Sequence, residues 1–332
     1  MTSSVLTIKN DFLSVDICPS QGADIRRISR KDKSENLLLE TKWKGTQKNY
    51  CDCSRTDEDH FLSHYAGGWQ LMIPNAGYAS DSKYGRLGYH GEAWSSAWDV
   101  VKHEANQLLL EIYLSTAPIK IERKVVLKQR TLEISDLVTN CSDGEIKFLW
   151  GHHPAFSNLL IDQSTEVRIN AGMISTEINT TSPDSTNVPS YLEQFSESFY
   201  LKNFMAEPHS FLGFASNFKE GSASILNKNN NLLVNLFWDI KIFPYAWLWI
   251  ENKRLSSEPW SKKIITLAIE PCSTKTNLGL EESLKFDGSC VSLKAKESVS
   301  TVIYLEVLTL NSSSEDIILE KSKEGLHHET FI

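Results

Sequence analysis

The segment LWGHHPAFSN, Leu149 to Asn158, sets two histidines side by side ahead of a proline in what reads as the end of a buried strand. Imidazole is the side chain that exchanges a proton near neutral pH. Successive strand residues point to opposite faces, so one pocket takes at most one of His152 and His153. A further histidine, His90, lies in YHGEAW (Tyr89 to Trp94). A carboxylate, Glu270, follows the apolar run IITLAI and precedes a proline in AIEPCS (Ala268 to Ser273). A carboxylate at the end of a buried strand is either held in a salt bridge or, its pKa raised by burial, a competent general base. A fourth segment, GGWQLMIPNAG (Gly67 to Gly77), puts polar and aromatic residues beside glycine and proline in the same manner.

Other chemistries fit these residues less well. His90, His153 and Glu270 would make a two-histidine, one-carboxylate metal set, but no HxH or HExxH spacing and no second acidic cluster accompany them, so no metal is expected. Ser157 and Ser273 lack the GxSxG setting of a nucleophilic serine, and no glycine-rich phosphate cradle occurs. Redox, hydride and nucleotide chemistry recede. Proton transfer is what the histidines and the glutamate offer.

The elements that must position these groups are strands. Apolar or alternating runs recur at Val5 to Ile17, Leu108 to Leu114, Ile119 to Leu127, Thr131 to Val138, Leu232 to Trp238, Tyr245 to Ile250, Ile264 to Ile269 and Val299 to Leu310, separated by polar, glycine or proline clusters. Without intervening helices they predict an all-β chain of antiparallel sheets, a sandwich or a barrel. One short C-terminal helix is expected over Ser314 to Leu326. Thr41 to His64 reads as polar and irregular, as does Thr180 to Tyr191. No linker or repeat divides residues 1–332, which are read as a single domain.

Composition narrows the partners. A formal charge of −8, with scattered lysines, argues against nucleic acid. No apolar run reaches the length of a membrane span and residues 1–10 lack a secretion signal, so no membrane partner and a cytoplasmic location are expected. The six cysteines include a CxC rather than paired CxxC motifs and read as reduced thiols. Six of the nine tryptophans lie near the four segments, which suggests a site that stacks flat apolar faces.

Taken in order, the four segments resemble the aldose 1-epimerase (galactose mutarotase-like) family. GADIRRI (Gly22 to Ile28) is similar to its opening strand turn, HHPAF to its His-x-x-Phe segment, YHGEAW to its His-Gly segment, and AIEPCS to its late strand with the catalytic glutamate. The likeness spans roughly residues 5 to 310. It implies a large antiparallel β-sandwich that binds a monosaccharide and interconverts its α and β anomers without cofactor or metal. The general acid would be His153, the general base Glu270, and His90 a sugar-binding histidine. His152 would face away from the site.

Trp69, Trp94 and Trp249 are candidates to stack on the sugar ring. Where galactose-specific members place an arginine the chain reads IPNAG, so Asn75 takes that place, with Arg86 a looser candidate. Glu251 and Asp239 are candidates for the carboxylate on the sugar hydroxyls. Related hexose-6-phosphate epimerases end their His-Gly-Phe-Ala-Arg segment in an arginine; HGEAW, with Glu92 and Trp94, implies a free sugar instead. Two other readings use the same residues. A non-catalytic sugar-binding or sugar-sensing domain would keep the aromatics without needing both His153 and Glu270, and a glycoside hydrolase would pair Glu270 with Glu92 or Glu251.

Overall fold

Alternation of buried and partly exposed residues along Ile119–Lys128 and Thr131–Asn140 is what a strand with one face on a core requires. The computed structural model describes residues 5–31, 33–42, 58–175 and 198–310, and in it these runs are strands of two large antiparallel sheets. The first sheet has nine strands in the order β1 (Leu6–Lys9), β2 (Leu13–Cys18), β3 (Asp24–Arg30), β4 (Trp69–Met72), β12 (Gly151–Phe156), β20 (Ile265–Cys272), β19 (Tyr245–Asn252), β16 (His209–Ser216) and β14 (Met173–Ser175). The second, also of nine, runs β15 (Ser198–Tyr200), β13 (Glu166–Ile169), β17 (Gly221–Asn227), β18 (Leu232–Trp238), β22 (Ser298–Thr309), β10 (Thr131–Asn140), β9 (Ile119–Lys128), β8 (Gln107–Tyr113) and β7 (Asp99–Glu104). Two small pairs complete the strands, β5 (Ser80–Ser82) with β6 (Gly85–Leu87) and β11 (Ile146–Phe148) with β21 (Val291–Leu293).

The expected all-β sandwich is therefore the observed one. Val5 to Ile17 holds two strands rather than one, because the Asn10 side chain accepts from the amides of Phe12 and Leu13 and turns the chain back. The polar stretch ending at His64 contains a short helix, α1 (Glu58–His64), whose Phe61 is buried. Two more helices are short, α2 (Lys202–Ala206) and α3 (Leu280–Phe286). The helix expected over Ser314 to Leu326 lies outside the described residues. No helix among the described residues is long and apolar enough to cross a membrane.

The core lies between the sheets. Ile25, Trp69, Leu71, Leu248, Ile250 and Ile269 of the first sheet pack with Ile121, Leu132, Ile134, Val234 and Leu305 of the second. Within it sits a polar knot: Arg123 of β9 donates from Nε and Nη2 to the two oxygens of Asp136 on β10, at 2.7 and 2.8 Å. His152 Nε2 of the opposite sheet approaches Asp136 to 3.3 Å. The other face of the first sheet carries a separate aromatic cluster, and the candidate site is built there.

Candidate functional site

Register brings the sequence candidates into one row. His153 on β12 faces Gln70 on β4. On its other side Gly151 faces Cys272 and Ala155 faces Ala268, so His153 stands level with Glu270 on β20, which in turn faces Trp247 on β19. Side chains alternate across a strand, so this row shares one face, and His152, Trp69 and Ile269 belong to the other. The next row holds Ala155, Ala268 and Trp249. Two alanines there leave low ground beneath the aromatics.

His153 Nε2 and Glu270 Oε1 are 3.6 Å apart, and both side chains are almost fully buried. Glu270 Oε2 and His153 Nδ1 are buried without a hydrogen-bond partner. Burial lowers the His153 pKa to about 4 and raises that of Glu270 well above the usual carboxylate range. Each shift disfavours charge. Together the two shifts favour one shared proton on the pair over none or two.

His90 lies on a turn with φ 58° and accepts a hydrogen bond at Nδ1 from the amide of Gly77, 3.1 Å away. Accepting at Nδ1 leaves the ring proton on Nε2. Burial first, and His153 second, keep the His90 pKa well below its ordinary value, so the ring is a neutral donor. Its centroid is 5.6 Å from that of His153. The glycine of the His-Gly pair is dictated by packing: Gly91 has φ +76°, and a Cβ there would lie 2.4 Å from the Ile73 carbonyl. Gly22 of the GADIRRI turn is held likewise, at φ +69° against the Trp94 carbonyl.

Aromatic rings cover these polar groups. Trp249 lies 5.9 Å from the His153 ring and packs edge-on to Trp260 at 5.2 Å. Phe61 of α1 meets His90 edge-on at 4.8 Å, and Tyr65 meets His153 edge-on at 5.7 Å. Trp94 packs edge-on to Phe61 at 4.9 Å and donates from its indole nitrogen to the Tyr89 carbonyl. Phe61, Tyr65 and Trp260 carry no motif, and the only signal for the first two was their place in the apolar spacing of HFLSHY.

Of the sequence candidates, the structure gathers His153, Glu270, His90, Trp94 and Trp249. Trp69 it does not: the indole lies in the core and donates to His152 Nδ1 at 3.2 Å. Asn75 is fully buried, with its amide donating to the carbonyls of Tyr78 and Gly88 and its oxygen accepting from the Leu280 amide. Arg86 pairs with Asp81 on an exposed hairpin. Glu251 is two residues past Trp249 on the same face, but its Oε1 accepts from the amides of Arg254 and Leu255 and closes that turn. Asp239 accepts from the Lys241 amide in another turn. Glu92 corrects the argument built on it: its carboxylate accepts from the amides and hydroxyls of both Ser115 and Thr116, and so clips a loop.

The comparisons agree with this architecture. A family described as a domain of unknown function, DUF4432, matches residues 1–307. The chain belongs to that family. No curated protein is matched by the sequence. Among solved structures, the Slr1438 protein from Synechocystis is 15% identical with a TM-score of 0.69, over 93% of this chain and 97% of that one. A galactose mutarotase-like protein from Lactobacillus casei is 15% identical with a TM-score of 0.66, over 92% of this chain and 100% of that one. The GalM/aldose epimerase homologue from C. elegans is 14% identical with a TM-score of 0.63, over 93% of this chain and 100% of that one. The fold is thus galactose mutarotase-like, as the four segments implied.

Proposed function

We propose that the protein is an aldose 1-epimerase acting on a free monosaccharide. The observation that carries this reading is the buried His153–Glu270 pair, 3.6 Å apart, which keeps an unpartnered oxygen on Glu270 and has the His90 ring 5.6 Å from that of His153.

Interconversion of anomers needs a proton removed from the anomeric hydroxyl and another delivered to the ring oxygen. The ring then opens to an aldehyde, rotates about C1–C2, and closes on the other face. Glu270 as carboxylate takes the hydroxyl proton, and His153 as imidazolium gives one to the ring oxygen; on closing, the roles reverse and the pair regains its proton count. Positioned acid and base groups are each worth about 10²–10⁴-fold. His90, locked as a donor at Nε2, suits an adjacent sugar oxygen. The faces of Trp249 and Trp94 suit the C–H face of a pyranose.

The chemistry calls for no metal and no cofactor. Among the described residues, no group of three His, Cys, Asp or Glu side chains is arranged to hold a metal ion. The test is mutarotation of a panel of free aldoses, followed by polarimetry, with Glu270→Gln and His153→Asn beside the parent protein and a chelator-dialysed sample. Loss of turnover in both variants and none on dialysis is the expected result. Full activity of Glu270→Gln would refute the assignment.

A further inference from the structure

The row that carries Glu270 and His153 does not end at Gln70. Ile25 on β3 faces Trp69 on β4, so one step along each strand Asp24 faces Gln70, and Arg26 shares the face of Asp24 two residues on. Asp24 Oδ2 accepts from Arg26 Nη2 at 3.2 Å and from Gln70 Nε2 at 3.3 Å. The same Arg26 nitrogen donates to Gln21 Oε1 at 2.8 Å.

What these residues leave unused is the informative part. Asp24 Oδ1, Gln70 Oε1, and Arg26 Nε and Nη1 are all buried without a partner, and so is the hydroxyl of Tyr65. The Tyr65 ring meets the His153 ring edge-on at 5.7 Å between centroids, so this side chain belongs to the same site. The molecule shows elsewhere how it satisfies a buried arginine and aspartate when nothing else is to bind: Arg123 grips both oxygens of Asp136. Asp24 and Arg26 share a single nitrogen–oxygen contact instead. Buried polar groups are normally paired, so a cluster of orphans beside a site calls for a ligand.

We propose that Asp24, Arg26 and Gln70 form a recognition subsite for two neighbouring hydroxyls of the sugar, on the ring edge opposite the anomeric carbon and ring oxygen. The assignment rests on the mutarotase reading for which edge faces it. Strands lie ~4.8 Å apart, so Asp24 stands roughly 10 Å, two strand spacings, from His153, on the side away from Glu270. A pyranose held by its O5–C1 edge at His153 and Glu270 presents C3 and C4 in that direction. The chemistry of the orphans selects the ligand class. Acceptors (Asp24 Oδ1, Gln70 Oε1) alternate with donors (Arg26 Nε and Nη1), which suits hydroxyls that donate and accept at once. A phosphate or carboxylate would meet the Asp24 and Gln70 oxygens with nothing to donate.

Binding is read from tryptophan fluorescence and turnover from polarimetry, with glucose, galactose and their 2-, 3- and 4-deoxy forms as probes. In the parent protein the 3- and 4-deoxy sugars should bind at least about tenfold more weakly than the full sugar, because the site's polar groups stay unpaired. In Asp24→Asn and Arg26→Gln binding of the full sugar should weaken by a similar factor, kcat/KM should fall with it, and the deoxy penalty should vanish. The deoxy series on the parent protein needs no variant, and Arg26→Lys, which keeps the charge but loses the guanidinium fork, supplies a milder change should Arg26→Gln fail to fold. Equal binding of all deoxy forms by the parent would overturn the subsite while leaving mutarotation intact. Sugar binding lost on Arg26→Gln with no mutarotation by the parent would keep the subsite and remove the epimerase reading. Competition by inorganic phosphate that disappears in Arg26→Gln would show an anion site and refute the diol assignment. Failure to bind any of the free sugars would refute both.

Discussion

His152 and His153, consecutive on β12, serve opposite faces of one sheet: the first stands 3.3 Å from Asp136 of the second sheet, the second 3.6 Å from Glu270 on its own. Alternation along the strand produces this division without further instruction. It also separates their consequences. His152→Asn should leave mutarotation within about twofold of the parent. It should also lower stability by about 1–3 kcal/mol, since the indole N–H of Trp69 loses its acceptor in the core. His153→Asn should do the reverse. Urea denaturation beside polarimetry checks both, and lost turnover in His152→Asn with retained turnover in His153→Asn would invert the assignment.

Glu270→Gln keeps shape and hydrogen bonding but removes the base. Turnover should fall by about 10²-fold or more, while sugar binding followed by tryptophan fluorescence stays within a few fold. A variant that loses binding and turnover together would mark Glu270 as a binding group rather than a base.

Much of this was legible in the sequence because alternation and neighbouring residues carried it. The apolar run before Glu270 placed the carboxylate in a buried strand, and the pairing of His152 with His153 forced one inward and one outward. The same alternation distinguishes Trp69 from Gln70: ring and amide point to opposite faces, and it is Gln70 that joins the site. Composition alone, which favours tryptophan as a sugar platform, pointed to the wrong one of the two faces. Asp24 and Arg26 lie more than a hundred residues from His153, and only the register through β4 brings them alongside. No local pattern records that. Phe61 and Tyr65 were hidden for another reason: α1, which carries Phe61 and ends one residue before Tyr65, is seven residues long, too short for helical periodicity to stand out.

The Arg123–Asp136 pair gives a stability prediction independent of function. Burial alone would raise the Asp136 pKa, but the Arg123 guanidinium and then His152 hold it well below the usual range. Asp136→Asn leaves the guanidinium buried without its counter-charge, and breaking one side of a buried pair costs about 3–5 kcal/mol. Denaturant midpoints should show that loss, and a change under 1 kcal/mol would mean that water reaches Arg123.

The pH profile follows from the acid–base pair. Turnover needs one proton on the pair, because a base and an acid must both be available. As pH falls through about 4, His153 gains a proton while Glu270 retains its own, so the base is lost and kcat/KM drops. As pH rises through the raised pKa of Glu270, the shared proton leaves and the acid is lost, so kcat/KM drops again. Between these two limits kcat/KM should form a plateau. Stability moves with the same groups. The folded-state pKa of His153 lies below its ordinary 6.5, so its contribution is present above 6.5 and is lost as pH falls toward about 4. The Glu270 pKa is raised instead, so its contribution is present below 4.5 and is lost as pH rises through the raised value. In His153→Asn the stability loss between pH 6.5 and 4 should shrink, because no buried imidazole resists protonation there. Thermal melting across that window, with kcat/KM measured in parallel, checks both halves. A kcat/KM limb near pH 6.5, the value for a solvated histidine, would show that His153 is not buried as described and would sink the shared-proton mechanism.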